Sequence, residues 1–170
     1  MELVLKKNKV WESAIDVLMF NGKGHTLLNI MEDWNKKLFT AAITGGIEAL
    51  KVCLQNGADI DYQDEDGWTA LMFAAGNGQL EICRLLIDTG CKIDITSDNG
   101  ETALMSAAMF GHLEICRLLI DTGCKIDITS TGLVGQTALM RAARYGYLEI
   151  CSLLIDTGCN IDITDFIRQV

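Results

Sequence analysis

The chain has 170 residues, 49% of them apolar, 22% charged and 6% aromatic, with no proline, a composition that fits one globular domain and excludes a disordered tract or a Pro-rich linker. A formal net charge of −9 and a pI near 4.6 exclude a protein that tracks a phosphate backbone, because such binding needs clustered Lys and Arg to release counterions. No stretch approaches the roughly 18 uncharged apolar residues of a spanning helix, and Lys6, Lys7, Lys9, Glu12 and Asp16 break up the N-terminal region where a secretory signal would be apolar, so a cytoplasmic protein with neither a nucleic-acid nor a membrane partner is expected.

In chain order, residues 1–33 come first. Residues 14–22 (AIDVLMFNG) can be laid on residues 49–57 (ALKVCLQNG) as a degenerate second helix. A repeat stack must shield its open end with polar residues, and Asp16, Lys23, Glu32 and Asp33 suit residues 1–33 to be an N-terminal capping repeat. Residues 34–66 hold a first full unit, with 47–63 reading IEALKVCLQNGADIDYQ. In the second unit, 67–99, residues 80–97 read LEICRLLIDTGCKIDITS, and the same letters return 33 residues later at 113–130, in a third unit spanning 100–134. Residues 148–164 (LEICSLLIDTGCNIDIT) place a fourth unit at 135–170, displaced by 35 residues because two have been inserted between Thr129 and Gly135.

Each unit predicts two short helices and an extended finger. Thr69 is an N-cap before Ala70. Leu71, Ala74 and Ala75 then share one face at i, i+3 and i+4, and Gly78, Gly111 or Gly146 ends the helix. The second helix carries a broader face of Leu, Ile and Cys until Gly90, Gly123 or Gly158 stops it. The alternation Ile93-Asp94-Ile95 predicts an extended segment leading into an Asp98-Asn99-Gly100 turn.

This unit resembles the ankyrin repeat, a β-turn followed by two antiparallel helices with a T-P-L-H-x-A motif and a later L-L-x-x-G-A. The resemblance covers roughly residues 34–165. It implies an all-α repeat solenoid, an ankyrin-type stack of helix-turn-helix units with β-hairpin-like fingers. The motif's proline and histidine are here Ala70 and Met72, Ala103 and Met105, and Ala138 and Met140, so methionine packing must replace the hydrogen bonds of the family histidine.

Chemistry is sparse. The histidines are His25 and His112, in unrelated contexts, and His112 follows a helix-ending glycine where ankyrin repeats usually carry histidine, a structural place. Cys83 and Cys91 are spaced C-x7-C, which is not a zinc pattern. The rows Asp88, Asp121, Asp156 and Asp94, Asp127, Asp162 stand a full repeat apart, too far to share a calcium ion, and are expected to be solvated faces. The seven cysteines follow the repeat rather than a pairing logic and are expected to stay reduced. The expectation is a protein that is not an enzyme and that holds no cofactor or metal.

The copies act as an internal alignment. Second helices hardly change, whereas finger tips and first helices vary, and the family resemblance places these on a concave binding surface. Trp68, Phe73, Glu101, Met109, Phe110, Arg141, Arg144 and Tyr145 differ between copies, and several are types enriched at interfaces. The insertion puts apolar Leu133 and Val134 on a lengthened tip, and Tyr147 replaces His112. Asp64, Glu65, Asp66, Asp98 and Glu101 make the early fingers acidic, while Arg141 and Arg144 make the last unit basic, a gradient that would steer a complementary partner. The function expected is a protein–protein interaction scaffold or adaptor. Its alternative is a targeting or regulatory module of a larger enzyme or effector whose active domain lies elsewhere. Residues 151–154 are as apolar as their internal counterparts, so either Phe166 and Ile167 fold over this end or the array continues, the latter being favoured; self-association through the apolar end is a corollary.

Overall fold

The computed structural model describes residues 33–131 and 135–161, and those from Trp34 onward belong to one compact unit. Residues 1–32, finger residues Leu133 and Val134, and Phe166 and Ile167 lie outside the described residues. The described helices come in pairs: α1 (Trp34–Thr44) with α2 (Ile47–Gln55), α3 (Ala70–Gly76) with α4 (Leu80–Asp88), α5 (Ala103–Phe110) with α6 (Leu113–Asp121), and α7 (Ala138–Tyr145) with α8 (Leu148–Asp156). No strand occurs among the described residues, and the architecture is an all-α repeat stack.

Three first helices begin alike for one reason. Thr69, Thr102 and Thr137 hold extended backbone, and their hydroxyls accept hydrogen bonds from the amides of Met72, Met105 and Met140 at 3.2–3.3 Å. Each cap satisfies a donor that the helix itself cannot. At the other end Gly78, Gly111 and Gly146 adopt φ of +72° to +79°, a region that side chains with a Cβ rarely enter.

The packing follows from side-chain size. Leu71, Ala74 and Ala75 are buried, as are Leu104, Ala107 and Ala108. Because alanine ends at Cβ, the first helices α1, α3, α5 and α7 pack densely on one another, while the second helices α2, α4, α6 and α8 meet more sparsely. A stack drawn together along one row and splayed along the other bends toward the tight row, so the first helices line its inner side. Met72 and Met105 are fully buried in the core, filling by packing the place of the family histidine.

The segment after each second helix departs from the extended alternation expected at Ile93-Asp94-Ile95. Residues 93–94 form a turn, and the cause lies in the next repeat. The Asp94 carboxylate accepts a hydrogen bond from the amide of Lys125 at 2.9 Å; Asp61 accepts likewise from Lys92 and Asp127 from Asn160, both at 2.8 Å. Asp94, expected on a solvated face, is partly buried and ties one repeat to the next; Asp127 makes the same tie while exposed, Asp88, Asp121 and Asp156 are exposed as expected, and Asp162 lies outside the described residues. The fingers add further ties. The Ser97 amide donates to the Glu101 carbonyl at 2.9 Å, and the amides of Asp98 and Thr131 donate to the carbonyls of Asp66 and Asn99 in the preceding finger at 3.0 and 2.8 Å.

Replacing Asp94 by alanine should lower the unfolding free energy by about 1 kcal/mol, the net worth of a hydrogen bond whose donor water can reach once the acceptor is gone. Asp94→Asn keeps an acceptor oxygen and should recover most of that loss, as read from urea melts of the two variants.

Candidate functional site

The finger bases and first helices bring the singled-out residues into three groups. In the first, the ring centroid of Trp68 lies 5.5 Å from that of Phe73, Phe73 lies 5.3 Å from Phe39, and Phe39 lies 5.8 Å from Tyr62, all tilted. These are the separations aromatic pairs favour. Trp68 is further fixed by its amide, which donates to the Asp64 carboxylate at 2.8 Å. Trp68 and Phe73 thus belong to a partly buried aromatic ladder with the buried Phe39 and the exposed Tyr62, two residues that the sequence alone does not single out. The signal was present: Tyr62 stands in the register of Ile95 and Ile128, and an aromatic in place of a β-branched residue marks a local change of packing.

The second group joins Glu101, Met109 and Arg141. Arg141 Nη2 donates to Glu101 Oε1, and Nη1 donates to Met109 Sδ at 3.3 Å. Both charged side chains are largely buried, and Arg141 Nε is buried with no partner. Low polarity strengthens the attraction between the two charges, and the pair is neutral to an approaching molecule. The charge gradient expected from the sequence accordingly loses both Glu101 and Arg141. Asp64 is also engaged within its own finger, accepting from the amides of Asp66 and Trp68. Exposed acidity remains at Glu65, Asp66 and Asp98, and exposed basicity at Arg144.

The third group is open to solvent. Phe110 is 53% exposed and Tyr145 is 49% exposed; they occupy one register in adjacent repeats, with Arg144 exposed next to Tyr145. Tyr147 is half-buried, its ring 6.5 Å from that of Tyr145 and close over Gly111. Leu133 and Val134 lie outside the described residues.

A model of the family described as ankyrin repeats (3 copies) matches residues 8–97, 38–131 and 90–165. The chain belongs to the ankyrin repeat family. Ankyrin repeat arrays are protein–protein interaction modules, typically without catalysis. A segment of 48 residues is 42% identical to Protein VAPYRIN-LIKE from Medicago truncatula, an alignment covering 28% of this chain and 10% of that protein. The chain therefore matches a small part of that relative's length.

The thiols of this array are packing groups. All seven cysteines are free. Burial pushes the thiols of Cys83, Cys91, Cys116 and Cys124 up to about 12 and raises those of Cys151 and Cys159 in the same direction. The nucleophile in cysteine chemistry is the thiolate, and at neutral pH these groups stay protonated. No helix of the described residues is long and apolar enough to cross a membrane.

Two outcomes are expected. Glu101→Ala should destabilise the array by about 3 kcal/mol, because it leaves Arg141 charged, largely buried and unpaired; the double variant Glu101→Ala/Arg141→Ala should regain part of that loss in denaturant titrations. The buried thiols have folded-state values raised above the ordinary 9.0, so folding favours their protonated form. Their contribution is complete below pH 9 and is lost as pH climbs toward about 12. The variant Cys91→Ala/Cys124→Ala, which copies the Ala58 of the first repeat, should weaken that alkaline decline by roughly half in melts recorded across this range.

Proposed function

We propose that this chain is a protein-binding scaffold or adaptor that grips a protein partner through the inner row of finger tips and first helices and performs no chemistry of its own. The observation that carries the reading is the pair Phe110 and Tyr145, each about half exposed and one repeat apart on the inner row. Large aromatic rings left in water lose the apolar burial that would repay their ordering, and such rings recur as anchors at binding surfaces. Arg144, exposed beside them, supplies a charge that orients an approaching partner. Tyr147 borders this surface. Trp68, Phe73, Glu101, Met109 and Arg141 support it from beneath by holding the fingers against the first helices.

The partner envisaged is a protein, with neither nucleic acid nor membrane involved, and the compartment is the cytoplasm; seven free thiols in one chain suit a reducing environment. A second reading, a targeting or regulatory module of a larger enzyme or effector, draws on the alignment in which the matched part is 10% of the relative.

The test is affinity capture of a partner followed by titration of that purified partner against variants. Phe110→Ala and Tyr145→Ala should each weaken binding by roughly tenfold or more with no change in melting temperature, and Arg144→Glu should slow association and alter its salt dependence. Wild-type affinity in all three variants rejects the inner-row surface. Trp68→Ala is a poorer probe, since it removes a member of the aromatic ladder and lowers stability as well.

A further inference from the structure

Gly76 closes α3, and no other described helix contains a glycine. Nothing in the fold requires it. Its backbone is helical rather than left-handed, unlike Gly78 two residues on. A Cβ at Gly76 would lie 3.7 Å from Phe110 Cδ2 and Cε2 and from Ser106 Cβ, which is ordinary van der Waals contact. The same register holds Ile43, Met109 and Arg144 in the other repeats. Gly76 O pairs with His112 Nε2 at 3.1 Å, but Ile43 O accepts from Gln79 Nε2 at 3.0 Å in the preceding repeat, so that contact does not depend on a missing side chain. Space, backbone angle and hydrogen bonding would all admit alanine, which helices favour over glycine.

What the glycine does is leave the inner row one side chain short. Gly76 is partly exposed and stands between Ile43, 39% exposed, and the partly buried Met109, with the edge of the half-exposed Phe110 ring beside it. The resulting notch is apolar, and glycine is the residue that lets a ligand group approach the backbone. Two repeats further along the same register Arg144 is exposed, whereas the exposed acids Glu65, Asp66 and Asp98 lie on the fingers. A carboxylate on an occupant of the notch is drawn to the arginine and repelled by the fingers, which fixes one direction of binding.

We propose that the Gly76 notch seats an apolar side chain of the partner protein, carried on an extended segment whose aspartate or glutamate, about five or six residues away, meets Arg144. The spacing follows from geometry: packed helices stand about 8–10 Å apart, two such steps separate the positions, and an extended chain advances about 3.3–3.6 Å per residue. The inference rests on the inner-row reading of function and names the chemistry of the segment that reading leaves open.

A phage-displayed library of random peptides, selected against the full chain, supplies the probe, and fluorescence anisotropy of the selected peptides gives affinities. These peptides should share an apolar residue at that spacing from an acidic one. Gly76→Ala, and Gly76→Met, which copies Met109, should weaken their binding by about tenfold or more. The melting temperature of Gly76→Ala should nevertheless rise by about 1–2 °C, a gain in stability set against a loss of function. Arg144→Glu should weaken binding as strongly, and lysine in place of the peptide's acidic residue should restore it. Wild-type affinity in both Gly76 variants, with binding lost in Tyr145→Ala, overturns the notch and leaves the inner row standing; wild-type affinity in Tyr145→Ala as well rejects both. Selected peptides without the apolar–acidic spacing, no selected peptide at all, or a lowered melting temperature in Gly76→Ala also overturn the proposal.

Discussion

The distance between neighbouring first helices governs the rest of the molecule. Alanine at positions 74, 75, 107 and 108, all buried, lets α3, α5 and α7 pack more closely than the second helices can with their Leu, Ile and Cys faces. From that inequality come the bend of the stack, the inner row of finger tips and the spacing at which Phe110 and Tyr145 are displayed. A larger residue at any of those alanines would force the row apart at a cost of about 1–3 kcal/mol, because a close-packed interior has little slack to absorb it.

Much of this was legible in the sequence because the chain carries its own alignment. Near-identical copies 33 residues apart fix helix positions, the threonine caps and the glycine stops without reference to anything outside the chain. What the copies cannot show is which groups meet across the boundary between them. The aspartate of each Ile-Asp-Ile run looked like a solvated alternate position, since an identical letter in every copy says nothing of a partner one repeat away. Sequence alone presents Glu101 and Arg141 as separate surface charges because each varies between copies. Their common cause is a contact: two positions that change together, to opposite charges, in adjacent repeats.

The aromatic ladder escaped for a different reason. Phe39 and Tyr62 lie in the first repeat, where identity to the later copies is weakest, so substitutions there were harder to distinguish from drift. Physically the ladder and the Arg141–Glu101 pair do the same work by different means. Both fasten a finger to the first-helix row, one with tilted, closely packed rings in the early repeats and the other with a shielded charge pair in the late ones.

The hydrogen bonds that join repeats share a direction. The amides of Lys92, Asp98, Lys125, Thr131 and Asn160 and the side chain of Gln79 all donate backward, to an acceptor in the preceding repeat; Gln63, which donates forward to Thr96, runs against the rule. A ribosome delivers this chain in the same order. Acceptors emerge first, solvated by water at little cost, and each new repeat arrives with the donors that close the seam behind it. Assembly can therefore keep pace with synthesis, the finished part serving as template for the part still being made.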